Sequence, residues 1–128
     1  MKFKILVASL ILLTGISRFF GLAKTNDPDQ LVLQQLKKAG SNLSKPHKIE
    51  FFLYFKSQAS AEAVAPTIKN SGFDVEVKQS AQGTDWLCIA TKTMIPELAA
   101  LQKIRRSFSA IAAAKGGEYD GWGTGVVN

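Results

Sequence analysis

Lys48-Ile49-Glu50-Phe51-Phe52-Leu53-Tyr54-Phe55 is the stretch on which the fold turns. Side chains alternate across a strand, so Ile49, Phe51, Leu53 and Phe55 fall on one face and Glu50, Phe52 and Tyr54 on the other. Apolar side chains on both faces mark a central strand. Before it, Ser41 to Pro46 reads as a polar linker, and Asn26 to Gly40 as a helix with Asp27 as N-cap, Pro28 in the first turn, Gln30 three residues after the cap, Leu33 and Leu36 inside, and Gly40 closing it. After it, Ser57 to Ser71 is alanine-rich and helical. Pro66 falls inside and predicts a kink or break near Ala65, since an internal proline costs about 3 kcal/mol.

Gly72 stops that helix, and Phe73, Val75 and Val77 then alternate with Asp74, Glu76 and Lys78, a strand with one buried face. Gln79 to Thr84 is a turn around Gly83, which pairs Asp85 to Lys92 back as a hairpin. Pro96 opens a helix with a stripe of Leu98, Leu101, Ile104, Phe108 and Ile111, while Lys103 and Arg106 point away. Gly116-Gly117 ends it, and Glu118 to Trp122 reads as a short edge strand, its following glycines permitting a tight chain end. The predicted class is therefore α+β: a ferredoxin-like βαββαβ sandwich preceded by an N-terminal helix, with both sandwich helices on one sheet face.

A chain of 128 residues, 46% apolar and 20% charged, suits one globular domain with its own core. The net charge of +6 is uneven: Lys2, Lys4 and Arg18 precede residue 24, and the remainder carries thirteen basic against ten acidic residues, or +3. Residues 1–23 have a secretory layout, with Lys2 and Lys4 followed by the apolar run Ile5 to Leu13 and then Thr14, Gly15 and Ser17. Cleavage after Ala23, or after Ser17, makes this a signal peptide. Uncleaved, Ile5 to Ala23 approaches the roughly 20 residues of a membrane anchor, though Arg18 interrupts it. The expected location is thus exported or inner-membrane-anchored, with residues 24–128 as the domain.

One cysteine, Cys88, and one histidine, His47, exclude a disulfide framework and the usual four-ligand structural zinc sites. Cys88 reads as a small core hydrophobe and His47 as an exposed loop residue at the mouth of the first strand. Glu118 and Asp120 share a strand face, yet they read as solvated charge rather than an acid/base pair. No Walker loop, GxSxG elbow or HExxH helix is present, and Gly121-Trp122-Gly123-Thr124-Gly125 lacks the dinucleotide spacing. No catalytic, cofactor or metal residues are assigned, and a binding function is expected. Phe52 and Tyr54 invite comparison with RNA-stacking sheets, but Glu50, Asp74 and Glu76 should share their face and repel phosphate. Those two aromatics are expected to be covered by the N-terminal helix or by a partner. Tyr119 and Trp122 are assigned first to packing and second to partner contact.

Asn42-Leu43-Ser44-Lys45-Pro46-His47-Lys48-Ile49-Glu50-Phe51-Phe52, Gly72-Phe73-Asp74-Val75-Glu76-Val77, Trp86, Thr91-Lys92-Thr93-Met94-Ile95-Pro96 and the closing Gly116-Gly117-Glu118-Tyr119-Asp120-Gly121-Trp122-Gly123 together resemble the RraB family, regulators of ribonuclease E activity. The resemblance spans about Asp27 to Gly123. It implies a ferredoxin-like, non-enzymatic protein that binds the noncatalytic scaffold region of the endoribonuclease and inhibits it. Two features depart from the family pattern, whose regulators are strongly acidic and lack an export signal. The alternative is therefore an exported or anchored domain of this fold with a different protein partner, and a lesser one is an RNA-binding module.

Overall fold

The structure is a computed structural model and describes residues 4–6, 25–81 and 83–128, the first three by backbone alone. Its elements are β1 (Lys4–Leu6), α1 (Pro28–Lys38), β2 (His47–Phe55), α2 (Gln58–Asn70), β3 (Asp74–Gln79), β4 (Trp86–Met94), α3 (Leu98–Ala113) and β5 (Glu118–Gly125). After α1 the chain runs βαββαβ, and the sheet order β1-β5-β2-β4-β3 is antiparallel at every pairing. Within the βαββαβ unit the first and third strands lie at the centre, which is the ferredoxin-like order. Except for Lys4–Leu6, the expected signal peptide or anchor lies outside the described residues. Among the described residues no helix is long and apolar enough to cross a membrane.

The strand that decided the reading is the spine of the core. Along β2, His47, Ile49, Phe51, Leu53 and Phe55 are buried, while the residues between them are half-buried or exposed. The buried row packs with Val32 and Leu36 of α1, Ala61, Val64 and Ile68 of α2, and Leu101, Phe108 and Ala112 of α3 in one cluster. All three helices therefore cover the same sheet face. Phe51, Phe73 and Phe108 meet with ring centroids 5.1 to 5.7 Å apart in edge-on or tilted contacts, the geometry that the ring quadrupoles favour.

Local chemistry sets the helix ends. Asp27 caps α1 by accepting from the Asp29 and Gln30 N–H groups, as its sequence position predicts. α3 ends in a Schellman arrangement: the Gly117 N–H donates to Ala112 O at 2.8 Å and the Gly116 N–H to Ala113 O at 3.1 Å, with Gly116 at φ 71°. Gly117 is needed for a different reason. A Cβ there would overlap the Tyr54 carbonyl oxygen and stand 2.5 Å from Phe55 Cδ1, so the chain can cross β2 this closely only without a side chain.

Four expectations are corrected. α2 runs unbroken from Gln58 to Asn70 with Pro66 inside it. Pro66 lies on the exposed face, as does Glu62 one turn back, so the carbonyl left without its helical donor can be hydrated while Ala61, Val64 and Ile68 stay packed. β5 is eight residues rather than a short edge strand, and β1 pairs outside its Gly123–Gly125 end. α1 does not cover Phe52 and Tyr54, because its Val32 and Leu36 enter the core on the opposite sheet face. His47 is no exposed loop residue: it opens β2 and is fully buried, its ring held by Ser41 and the Lys45 carbonyl.

Candidate protein-interaction face

The sheet face turned away from the helices follows from the pairing register. Tyr54 stands opposite Leu87, Phe52 opposite Ile89, and Glu50 opposite Thr91. Across β4, Lys78 faces Leu87, Glu76 faces Ile89 and Asp74 faces Thr91. On the other side Glu118 faces Tyr54. The face is therefore an apolar strip of Phe52, Tyr54, Leu87 and Ile89 with charged side chains along its margins. Leu87 and Ile89 are only 9% and 7% exposed, yet they stand outside the core cluster.

β5 reaches this face through a bulge. Trp122 pairs with Phe51 and Tyr119 with Leu53, leaving Asp120 and Gly121 together opposite Phe52, with Gly121 at φ 91°. The extra residue puts Tyr119 and Trp122, three apart in sequence, on the core side and turns Asp120 toward the open one. Burial and the neighbouring Glu118 carboxylate both raise the Asp120 carboxyl above the usual range. Burial, with help from Asp120 and Asp85, raises the Tyr54 phenol, so it stays a neutral hydroxyl at physiological pH. Near this end, Lys56 pairs with Asp85 at 3.7 Å beside a shallow depression that Tyr54 and Glu118 also line.

The four aromatic residues singled out in the sequence therefore part company. Phe52 and Tyr54 are half-buried on the open face, whereas Trp122 is fully buried and Tyr119 packs edge-on against Phe108 at 6.1 Å. Trp122 Nε1 donates to Asp29 Oδ1 at 3.0 Å, and Arg105 grips the same fully buried carboxylate through Nε and Nη2 at 2.9 and 2.8 Å. The Arg105 guanidinium also lies over the Tyr119 ring, 5.2 Å from its centroid. One carboxylate thus ties α1, α3 and β5 together. The Asp29 hydrogen bond raises the Arg105 pKa against the opposing effect of burial. Neither Asp29 nor Arg105 stood out in the sequence, because nothing local says that a helix-start aspartate will meet a tryptophan 93 positions later.

A second buried node holds the C-terminal tail. His47 Nδ1 lies 2.8 Å from Lys45 O, an acceptor only, so Nδ1 carries a proton, and Nε2 is hydrogen-bonded to Ser41 Oγ at 2.6 Å. Ser41 Oγ in turn accepts the Val127 N–H at 3.0 Å, and the Asn42 N–H donates to Val127 O at 2.6 Å. These contacts occupy the one histidine with clasping the tail. Cys88 is fully buried, as its place in an apolar strand predicts, and burial pushes its thiol up to about 11. Among the described residues, no three His, Cys, Asp or Glu side chains gather as a metal site requires.

A family model described as regulator of ribonuclease activity B matches residues 26–124, from the residue before the α1 cap to the penultimate residue of β5. A comparison with curated proteins gave no match.

Proposed function

Since the chain belongs to the RraB family, whose members regulate ribonuclease activity, we propose that it acts by binding a protein, namely the scaffold region of ribonuclease E, and slows that enzyme without itself doing chemistry. The observation that carries this reading is the family match across the whole α1-βαββαβ unit. A sheet face with an apolar centre and a charged margin is suited to another protein's side chains and supports this reading. The test is a cleavage assay. Ribonuclease E with its scaffold region should cut a defined RNA more slowly when the full chain is added in excess, while the isolated catalytic half should be unaffected. Equal rates with and without the chain would overturn the reading.

A second reading is favoured by residues 1–23, whose lysines and following apolar run suit export or anchoring in the inner membrane. An exported domain would meet a different protein partner, because ribonuclease E works on the cytoplasmic side. Alkaline phosphatase fused after Asn128 decides between them: activity places the domain outside and rules out ribonuclease regulation, and silence with a stably produced fusion keeps it inside. RNA is disfavoured as a ligand by the carboxylates around Phe52 and Tyr54, which would repel phosphate.

A further inference from the structure

Within residues 25–128 the formal charge is +2, from twelve basic and ten acidic side chains, and this small sum hides an uneven distribution. The open sheet face carries five of the carboxylates, Glu50, Asp74, Glu76, Glu118 and Asp120, against two lysines, Lys48 and Lys78, a net of −3. The rest of the domain, almost all of it helices and loops, holds ten basic and five acidic residues, a net of +5. The carboxylates are also placed with some order. Glu118 and Asp120 line the strip of Phe52, Tyr54, Leu87 and Ile89 on the β5 side, and Asp74 and Glu76 line it on the β3 side.

We propose that this face is the docking surface, and that its occupant is a basic segment of the partner protein carrying apolar side chains between its arginines or lysines. The inference deepens the protein-binding reading above and rests on it for the partner's class. Phe52 and Tyr54, half-buried in the middle of the sheet beside the nearly covered Leu87 and Ile89, give such a segment an apolar anchor, and carboxylates on both sides meet its positive charges however it lies along the strip. The basic helices, turned the other way, repel the same segment and so orient its approach.

The scaffold region of ribonuclease E is titrated into isotope-labelled full chain, and amide shifts are followed at Phe52, Tyr54 and Ile89. Those resonances should move to saturation. Glu76→Lys combined with Glu118→Lys, both at exposed positions, should weaken binding about 10- to 100-fold, and Lys103→Glu with Arg106→Glu should leave it unchanged or tighter. If the helix-face pair abolishes binding while the sheet-face pair does not, the surface is misassigned and ribonuclease regulation still stands. If the scaffold region fails to bind but a synthetic peptide alternating arginine and leucine saturates the same resonances, the surface stands and the ribonuclease reading falls. If neither probe moves them, the proposal is wrong. It is also wrong if a short RNA saturates them, or if the full chain has a doubled mass that Glu76→Lys restores to one copy, which would give the face to a second copy's basic helices.

Discussion

At the residue scale, Asp29 shows how one buried charge organises distant parts of the chain. It is wholly inaccessible, and it satisfies both the Arg105 guanidinium and the Trp122 indole. Removing one member of such a set strands the others, so Asp29→Ala should lower unfolding free energy by about 3 kcal/mol, read from urea denaturation. Asp29→Asn keeps an acceptor and should cost less. A loss below that of an ordinary surface substitution would show that the node is not a fastening. Cys88 gives a pH-dependent counterpart. Its thiol rises from 9.0 to about 11 on folding, so the folded state holds the proton more tightly than the unfolded chain. The stability this adds is fully present below pH 9.0 and is lost as pH rises toward about 11. At pH 8 a disulfide exchange reagent should leave the native thiol unreacted and label it in denaturant. Rapid labelling of the native protein would contradict its burial.

At the element scale, α2 separates local propensity from packing. Pro66 removes an N–H from the helix, yet three apolar residues on the other side, Ala61, Val64 and Ile68, keep it in place against the sheet. Pro66→Ala should restore the hydrogen bond to Glu62 O and stabilise the protein by roughly 1 to 3 kcal/mol, less the entropy that proline removes from the unfolded chain. Thermal unfolding should show the gain as a rise of several degrees. An unchanged midpoint would mean that packing already compensates for the missing bond. β5 makes a similar point about register. The bulge at Asp120 and Gly121 places both Tyr119 and Trp122 on the core side, whereas strict alternation from Glu118 would have put one of them on each face.

At the scale of the whole molecule, charge distribution matters more than net charge. A domain at +2 offers a basic partner little overall attraction, but a sheet face at −3 offers it a local one. Asp120 makes that face sensitive to pH, because burial and Glu118 raise its carboxyl. On acidification it takes a proton before an ordinary aspartate does, and the face loses negative charge. Affinity for a basic segment, measured by calorimetry, should therefore fall as the pH is lowered into the carboxylate range, and less so in Asp120→Asn. Binding that strengthens on acidification would mean that the carboxylates do not make the contact.

Much of this protein was legible in the chain. Alternation in Ile49 to Phe55 and Phe73 to Lys78, the Asp27 cap, and the stops at Gly40, Gly72 and Gly116-Gly117 are local, and local sterics and hydrogen bonding fix the elements and their order. Half of the open face could be read in the same way, since Phe52 and Tyr54 must oppose the core row and Glu50, Asp74 and Glu76 go with them. What the chain could not disclose was which distant groups would meet. The burial of His47, the Asp29–Arg105–Trp122 node, the shelter of Leu87 and Ile89, and the joining of Glu118 and Asp120 to the same surface all depend on strand register, a bulge and the choice of face for α1. Periodicity along a sequence specifies which side a residue faces within its own element; only the packing of elements against one another decides what stands opposite.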